Sequence, residues 1–154
     1  MKIAVVFSAV VFCTTGGYTS VKADSLKDVI TKTAEYETET VTEPTVASIG
    51  GEWTVMSLAR GNVDVPDNYF EKYRANVEKY LKENDGVLSD YKYTEYSRVI
   101  LALKSIGADP SDIGGYDIQK PLEDFDTVTS QGLNGAVYAL LALNADDPAG
   151  HKDQ

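Results

Sequence analysis

"EYSRVILALKSIGADP" (95–110) reads as a helix that opens on an acid, turns apolar within one turn and stops at a Gly followed by Asp-Pro. Its central run, "VILAL" (99–103), is apolar on nearly every side. A helix of that kind has to be enclosed by other helices. Arg98 stands immediately before the run. That placement suits either a site at the mouth of a pocket or a fastening between two units of a scaffold. Recurrence bears on the choice, because a phrase that repeats along a chain is a structural unit.

The phrase recurs. "EWTVMSLARGNVDVP" (52–66) and "NGAVYALLALNADDP" (134–148) have the same shape: an apolar helix containing Leu-Ala, a Gly or Asn turn, then Asp and Pro. Leu58-Ala59, Leu101-Ala102 and Leu141-Ala142 lie 43 and 40 residues apart, and Pro66, Pro110 and Pro148 follow those leucines by 8, 9 and 7 residues. A period near 40 is about the length of one helical hairpin.

Between these copies the helices differ in character. Over 67–82, Phe70, Tyr73, Val77, Tyr80 and Leu81 form one apolar stripe, and Glu71, Lys72, Glu78 and Lys79 form the wet side. "SLKDVITKTAEYETE" (25–39) is a second half-exposed helix, with a stripe of Leu26, Val29, Ile30 and Thr33 after an Asp24 or Ser25 cap. "KPLEDFDTV" (120–128) is a short third, with Pro121 suited to a first helical turn. By contrast "AVYALLAL" (136–143) is apolar all round and is expected to be enclosed. Gly50-Gly51, Gly61-Asn62, Asn84-Asp85-Gly86, Gly114-Gly115 and Gln131-Gly132 mark the loops. The pattern predicts an all-α fold of stacked helical hairpins in an inner and an outer layer.

The first 23 residues belong to a different design. A basic start at Lys2, the apolar run "IAVVFSAVVFCTT" and small residues Val21 and Ala23 before Asp24 make a secretory signal peptide. The repeat domain is then expected over 24–147, with 148–154 a tail or truncation point. Lys2 and Lys22 leave with the leader, so 12 basic residues face 24 acidic ones, a net charge of −12. Such a surface disfavours nucleic acid and anionic lipid. The single cysteine, Cys13, is also lost with the leader. A secreted chain without cysteine has no disulfides, thiol nucleophile or thiolate metal site, which fits a Gram-positive bacterial surface.

As a set and in order, Trp53 within "GGEWTVMSLARGN", the "YSR-x-ILAL" helix, "IGADPSDIGGYD" and "QGLNG-x-x-YALLAL" resemble the secreted bacterial proteins with prenyltransferase and squalene-cyclase-type repeats. Those belong to the wider α/α-toroid superfamily, which also includes transcobalamin-like cobalamin carriers. The resemblance covers about residues 45–147. It implies a ring of inner and outer helices around a central cavity lined by aromatic side chains. The three inner helices visible here would make a partial toroid, with uncovered inner edges open to self-association or to completion by another chain.

The chemistry that the resemblance would bring is mostly missing. Cyclases of that superfamily use Asp-x-Asp-Asp, whereas "EDFDT" (123–127) has Phe125 at the middle acid. Glu123, Asp124 and Asp126 therefore read as a solvated helix start. Prenyltransferase zinc needs Asp, Cys and His, but no cysteine follows residue 23 and His151 stands alone near the end of the chain. A Ser-His-Asp triad fails on the same lone histidine. Asp109, Asp112 and Asp117 around Gly114-Gly115 are a weak calcium candidate without the alternating spacing of a calcium loop. Arg98 is expected to pair with Glu95, Asp109 or Asp112, or to meet an anionic ligand. With Trp53, Tyr96 and Tyr138 on the inner helices, it makes the set of cavity-lining candidates, whereas Tyr69, Tyr73 and Tyr80 are expected to pack between layers. The functional expectation is a non-catalytic module that binds a protein or an apolar small molecule. A corrinoid-binding fragment, with cobalamin as cofactor, and a fragment of an isoprenoid-processing enzyme are the alternatives.

Overall fold

Helix α4 (Tyr93–Ser105), which carries the opening phrase, lies at the centre of the chain, with Val99, Ile100, Ala102 and Leu103 fully buried. The computed structural model describes residues 25–48, 50–130 and 132–145. The leader with Cys13, His151 and the 148–154 tail lie outside the described residues. The other helices are α1 (Leu26–Thr40), α2 (Glu52–Gly61), α3 (Tyr69–Glu83), the short α5 (Phe125–Thr129) and α6 (Leu133–Asn144). Among the described residues the extended pairing is an isolated bridge between Ile113 and Tyr116, so the fold is all-α.

α4 packs against α2 on one side and α6 on the other, and these are the three repeat phrases. The direction of α6 is set at its C-terminal end. The Lys104 ammonium, in the last turn of α4, donates to the carbonyls of Ala142 (2.9 Å) and Leu143 (3.1 Å). A cation there satisfies carbonyls that lack intrahelical partners and complements the negative end of the helix dipole. The two helices therefore run parallel, C-terminus beside C-terminus.

α3 buries Tyr69, Tyr73, Val77 and Leu81, four residues at successive i+4 steps, and leaves its charged side wet. Phe70 and Tyr80 are half-buried at the margin of that stripe, which matches the periodicity. The helix is tied to the 41–48 loop by Tyr69 Oη donating to the Val41 carbonyl (2.7 Å) and Asn76 Nδ2 to the Pro44 carbonyl (2.8 Å). In the stretch 120–129, Asp124 splits one expected helix into two. Lys120–Glu123 is a 3₁₀ turn, and the Asp124 carboxylate then caps α5 by accepting from the Thr127 amide (3.2 Å). Gly86, at φ +84°, lets the Tyr116 ring pack on the turn after α3, where a Cβ would collide with it.

Two sequence expectations are corrected. In α1 Ser25, one of the two expected caps, is the N-cap and forms a capping box with Asp28, but the stripe Leu26, Val29, Ile30 and Thr33 is exposed and the buried residues are Ala34 and Thr38. The C-terminal half of α1 is tied to α2, where Glu37 accepts from the Ser57 hydroxyl (2.8 Å). In α6 enclosure is one-sided. Gly135, Ala139 and Ala142 are buried, while Leu133, Val137, Leu140 and Leu141 are exposed, Leu133 by 80% and Leu140 by 63%. The reason is side-chain size. Small residues at i, i+4 and i+7 bring the α6 backbone close to α4 and turn the bulky residues outward. The Leu-Ala pair itself also changes role, because Leu58 is buried in α2 whereas Leu141 is exposed in α6.

Leu103→Ala in the buried α4 is expected to cost about 2–5 kcal/mol. Leu140→Ala on the uncovered face of α6 is expected to stay within about 0.5 kcal/mol. Urea unfolding of both variants measures the contrast, and equal losses would place α6 inside the core.

Candidate binding site

Glu52, the first residue of α2, is completely buried. Its Oε1 accepts from the Ala47 amide at 2.6 Å and, at 3.5 Å, from the Tyr73 hydroxyl of α3. Gly51 precedes it because a Cβ there would run into the Thr45 carbonyl oxygen and the Ser48 hydroxyl. The 45–48 turn folds tightly back over the start of α2, with Ala47 held at φ +56°. One carboxyl thus joins a loop, α2 and α3.

Glu52 also faces α4. Its Oε2 and the Nε of Arg98 are both buried and both lack a hydrogen-bond partner, and the two groups interact electrostatically. Burial raises the Glu52 pKa above its ordinary value, against the Ala47 and Glu52 amides, the Arg98 charge and the Tyr73 hydroxyl, which pull it down. Burial, then the Glu52 charge, pushes the Tyr73 phenol well above its usual range. Arg98 reaches Glu95 through Nη2 at 3.9 Å, longer than the ~2.7–2.9 Å of a good charge-assisted hydrogen bond. Lys92 approaches the same Glu95 oxygen at 3.7 Å.

Arg98, Glu95 and Lys92 help to line an open concavity of about 370 Å³ where the N-terminal ends of α2, α4 and α6 meet. Trp53 comes from α2; Lys92, Thr94, Glu95 and Arg98 come from the start of α4; Asn134 and Tyr138 come from the first turns of α6. None of the three helices begins with a side-chain cap: Gly51, Lys92 and Gly132 occupy those positions. Two cations and one carboxylate line the cavity, so it carries a net positive charge in a chain whose net charge is −10.

Of the four residues expected to line a cavity, Trp53, Arg98 and Tyr138 come together here. Tyr96 does not. It is buried, stacks on Tyr93 at 5.7 Å between ring centroids, and its hydroxyl accepts from the Leu88 amide (3.0 Å), so it fastens the α3–α4 loop. Arg98 takes Glu95 from the expected partners and adds Glu52, which was not among them. The signal was present in "GGEW": two glycines allow the chain to close over whatever side chain follows them. Lys92 and Asn134 were also missed, because each lies just outside the apolar run of its helix.

The calcium candidates do not converge. Asp109 Oδ1 accepts from the Ser111 amide (2.8 Å) and hydroxyl (2.7 Å), which lower its pKa, while Asp117 Oδ1 accepts from the Gln119 (2.9 Å) and Lys120 (3.3 Å) amides. Each shapes its own turn, and Asp112 is exposed. Among the described residues no cluster of three acidic, histidine or cysteine side chains could hold a metal ion. Glu123, Asp124, Phe125 and Asp126 are exposed, Phe125 by 73%. A larger groove of about 820 Å³ runs between α1 and residues 61–66, past Leu26 and Ile30. Lys27, Glu35 and Asp64 are spread along its walls without meeting, so its size brings no recognition chemistry with it.

No protein-family model, curated protein or solved structure matches the chain.

The raised Glu52 pKa predicts a pH signature. The folded state holds this proton more tightly than the unfolded state, so the group's contribution to stability is full below its ordinary pKa of 4.5 and declines as pH rises through the folded value. The Tm of the wild type is therefore expected to fall relative to that of Glu52→Gln as pH rises above 4.5. Parallel Tm–pH curves would contradict a buried, proton-retaining carboxyl.

Proposed function

We propose that the chain is a secreted, non-catalytic binding module of α/α hairpins. In this reading it is part of a toroid-type array that holds a small ligand where its inner helices begin. The observation that supports it best is the convergence of Trp53, Arg98 and Tyr138, from three different helices, on one concavity. Its volume falls at the small end of the ~300–1,000 Å³ typical of small-molecule sites. Secretion rests on the leader sequence at 1–23, and the non-catalytic reading on the missing cyclase acid at Phe125 and the absence of a cysteine after residue 23.

Trp53 is the sole tryptophan of the chain and is 43% exposed, so it reports on the concavity directly. A bound small molecule is expected to shift its emission and protect it from iodide quenching. Amide shifts in an NMR titration would cluster at 53, 92–98 and 134–138. Shifts scattered over the surface would contradict the site, and turnover of a polyprenyl diphosphate would contradict the non-catalytic reading.

A protein-binding role has its own support in the uncovered face of α6. Leu133, Val137, Leu140 and Leu141 form an uncharged apolar strip on a strongly acidic protein. In solution its occupant is a second copy, since the strip offers apolar area without like-charge contact. Light scattering is expected to show concentration-dependent association that Leu140→Lys abolishes. A wild-type protein that stays monomeric up to millimolar concentration would remove this role.

A further inference from the structure

We infer that the concavity recognises a small aromatic carboxylic acid, its carboxylate held by Arg98 and Lys92 and its ring by Trp53 and Tyr138. The inference rests on the binding reading above and adds the chemical class of the ligand.

Arg98 carries it. The Arg98 side chain is only 22% exposed, its Nε has no acceptor, and its ion pair with Glu95 is stretched to 3.9 Å. Lys92 is held no better, at 3.7 Å from the same oxygen. Two cations thus share one side-chain carboxylate that neither grips at hydrogen-bonding distance. A carboxylate entering from solvent is free to take the bidentate geometry that Glu95, on the same helix as Arg98 and three residues before it, does not reach. Glu95 is then a resident competitor. It also sets the charge of the ligand. On the cavity wall Lys92 and Arg98 face the single carboxylate of Glu95, so an entering monoanion gives two cations two carboxylates, whereas a dianion would meet Glu95 with a charge in excess. The uncapped starts of α4 and α6 present their positive ends on the same side. The remaining wall combines the aromatic side chains of Trp53 and Tyr138, which suit a flat apolar body, with Thr94 and Asn134.

The test titrates the intact protein with phenylacetate, its neutral isostere phenylacetamide, and the dianion phenylphosphonate, following Trp53 emission and backbone amide shifts. Phenylacetate is expected to saturate both signals, with phenylacetamide at least about tenfold weaker and phenylphosphonate no tighter than phenylacetate. Arg98→Met is expected to lose about tenfold or more, and Lys92→Met a few-fold. Glu95→Gln is expected to tighten phenylacetate several-fold by removing the competitor. That gain distinguishes recognition from a merely structural role of Arg98, and it holds even where Arg98→Met fails to fold. If phenylacetamide binds as well as phenylacetate, or if Glu95→Gln weakens binding, the carboxylate assignment falls while the concavity survives as a neutral aromatic site. If phenylphosphonate binds tightest, the monoanion assignment falls. If none of the three moves the amides around Trp53, the assignment falls together with the binding reading.

Discussion

A carboxyl group sealed from water at the first turn of α2 fixes the geometry that everything else uses. Glu52 accepts from the Ala47 amide and the Tyr73 hydroxyl and faces Arg98, so loop, α2, α3 and α4 meet at one atom group. Leaving one buried oxygen unpaired costs roughly 1–3 kcal/mol. The surrounding core of Val55, Tyr73, Val77, Val99 and Ile100, each fully buried, offsets such a cost. The unpaired Arg98 Nε belongs to a side chain that lines the concavity, and the unpaired oxygen belongs to Glu52, next in sequence to Trp53 of the same wall. Polar groups left incompletely satisfied in a buried setting occur where a site has been favoured over maximal stability.

The opposite end of the layer is fastened by different chemistry. Lys104 closes the C-terminal end of α6 against α4, and small residues on α6 allow that close approach. With C-termini joined at one end, the helix starts necessarily gather at the other, where three positive helix ends and two cationic side chains share a space. The positive cavity in an acidic protein is therefore a product of helix direction as much as of composition. The same arrangement leaves the bulky side of α6 without a covering element among the described residues, so the small-residue contact that builds the site also creates the apolar edge.

Much of the fold could be read before the structure. The three Leu-Ala phrases become the central row α2–α4–α6, and the stripe of α3 is buried where its period places it, since a 3.6-residue pattern reports which side faces the core. Apolar composition alone did not report how a helix divides large and small residues, which is why α6 was expected to be enclosed. In α1 the stripe residues face outward because only Ala34 and Thr38, set lower on the helix, meet the core. At the site, the aromatic and cationic members Trp53, Arg98 and Tyr138 were legible as conspicuous residues on inner helices. Glu52 was not, because the two glycines before it permit a turn to close over its side chain without requiring one. Tyr96 was misplaced for a related reason: its hydroxyl is spent on the Leu88 amide, a contact eight residues away that no helical period encodes.

The central claim, that Glu52 is a buried fastening and not a surface acid, is tested most directly by hydrogen exchange at the Ala47 amide. This amide lies in a loop and donates to the Glu52 carboxylate. It is predicted to exchange as slowly as the amides of Val99 and Ile100 in α4, through the same opening of the structure. Exchange at the rate of an exposed loop amide would mean that the carboxyl does not hold the turn, and the geometry built on it would fail.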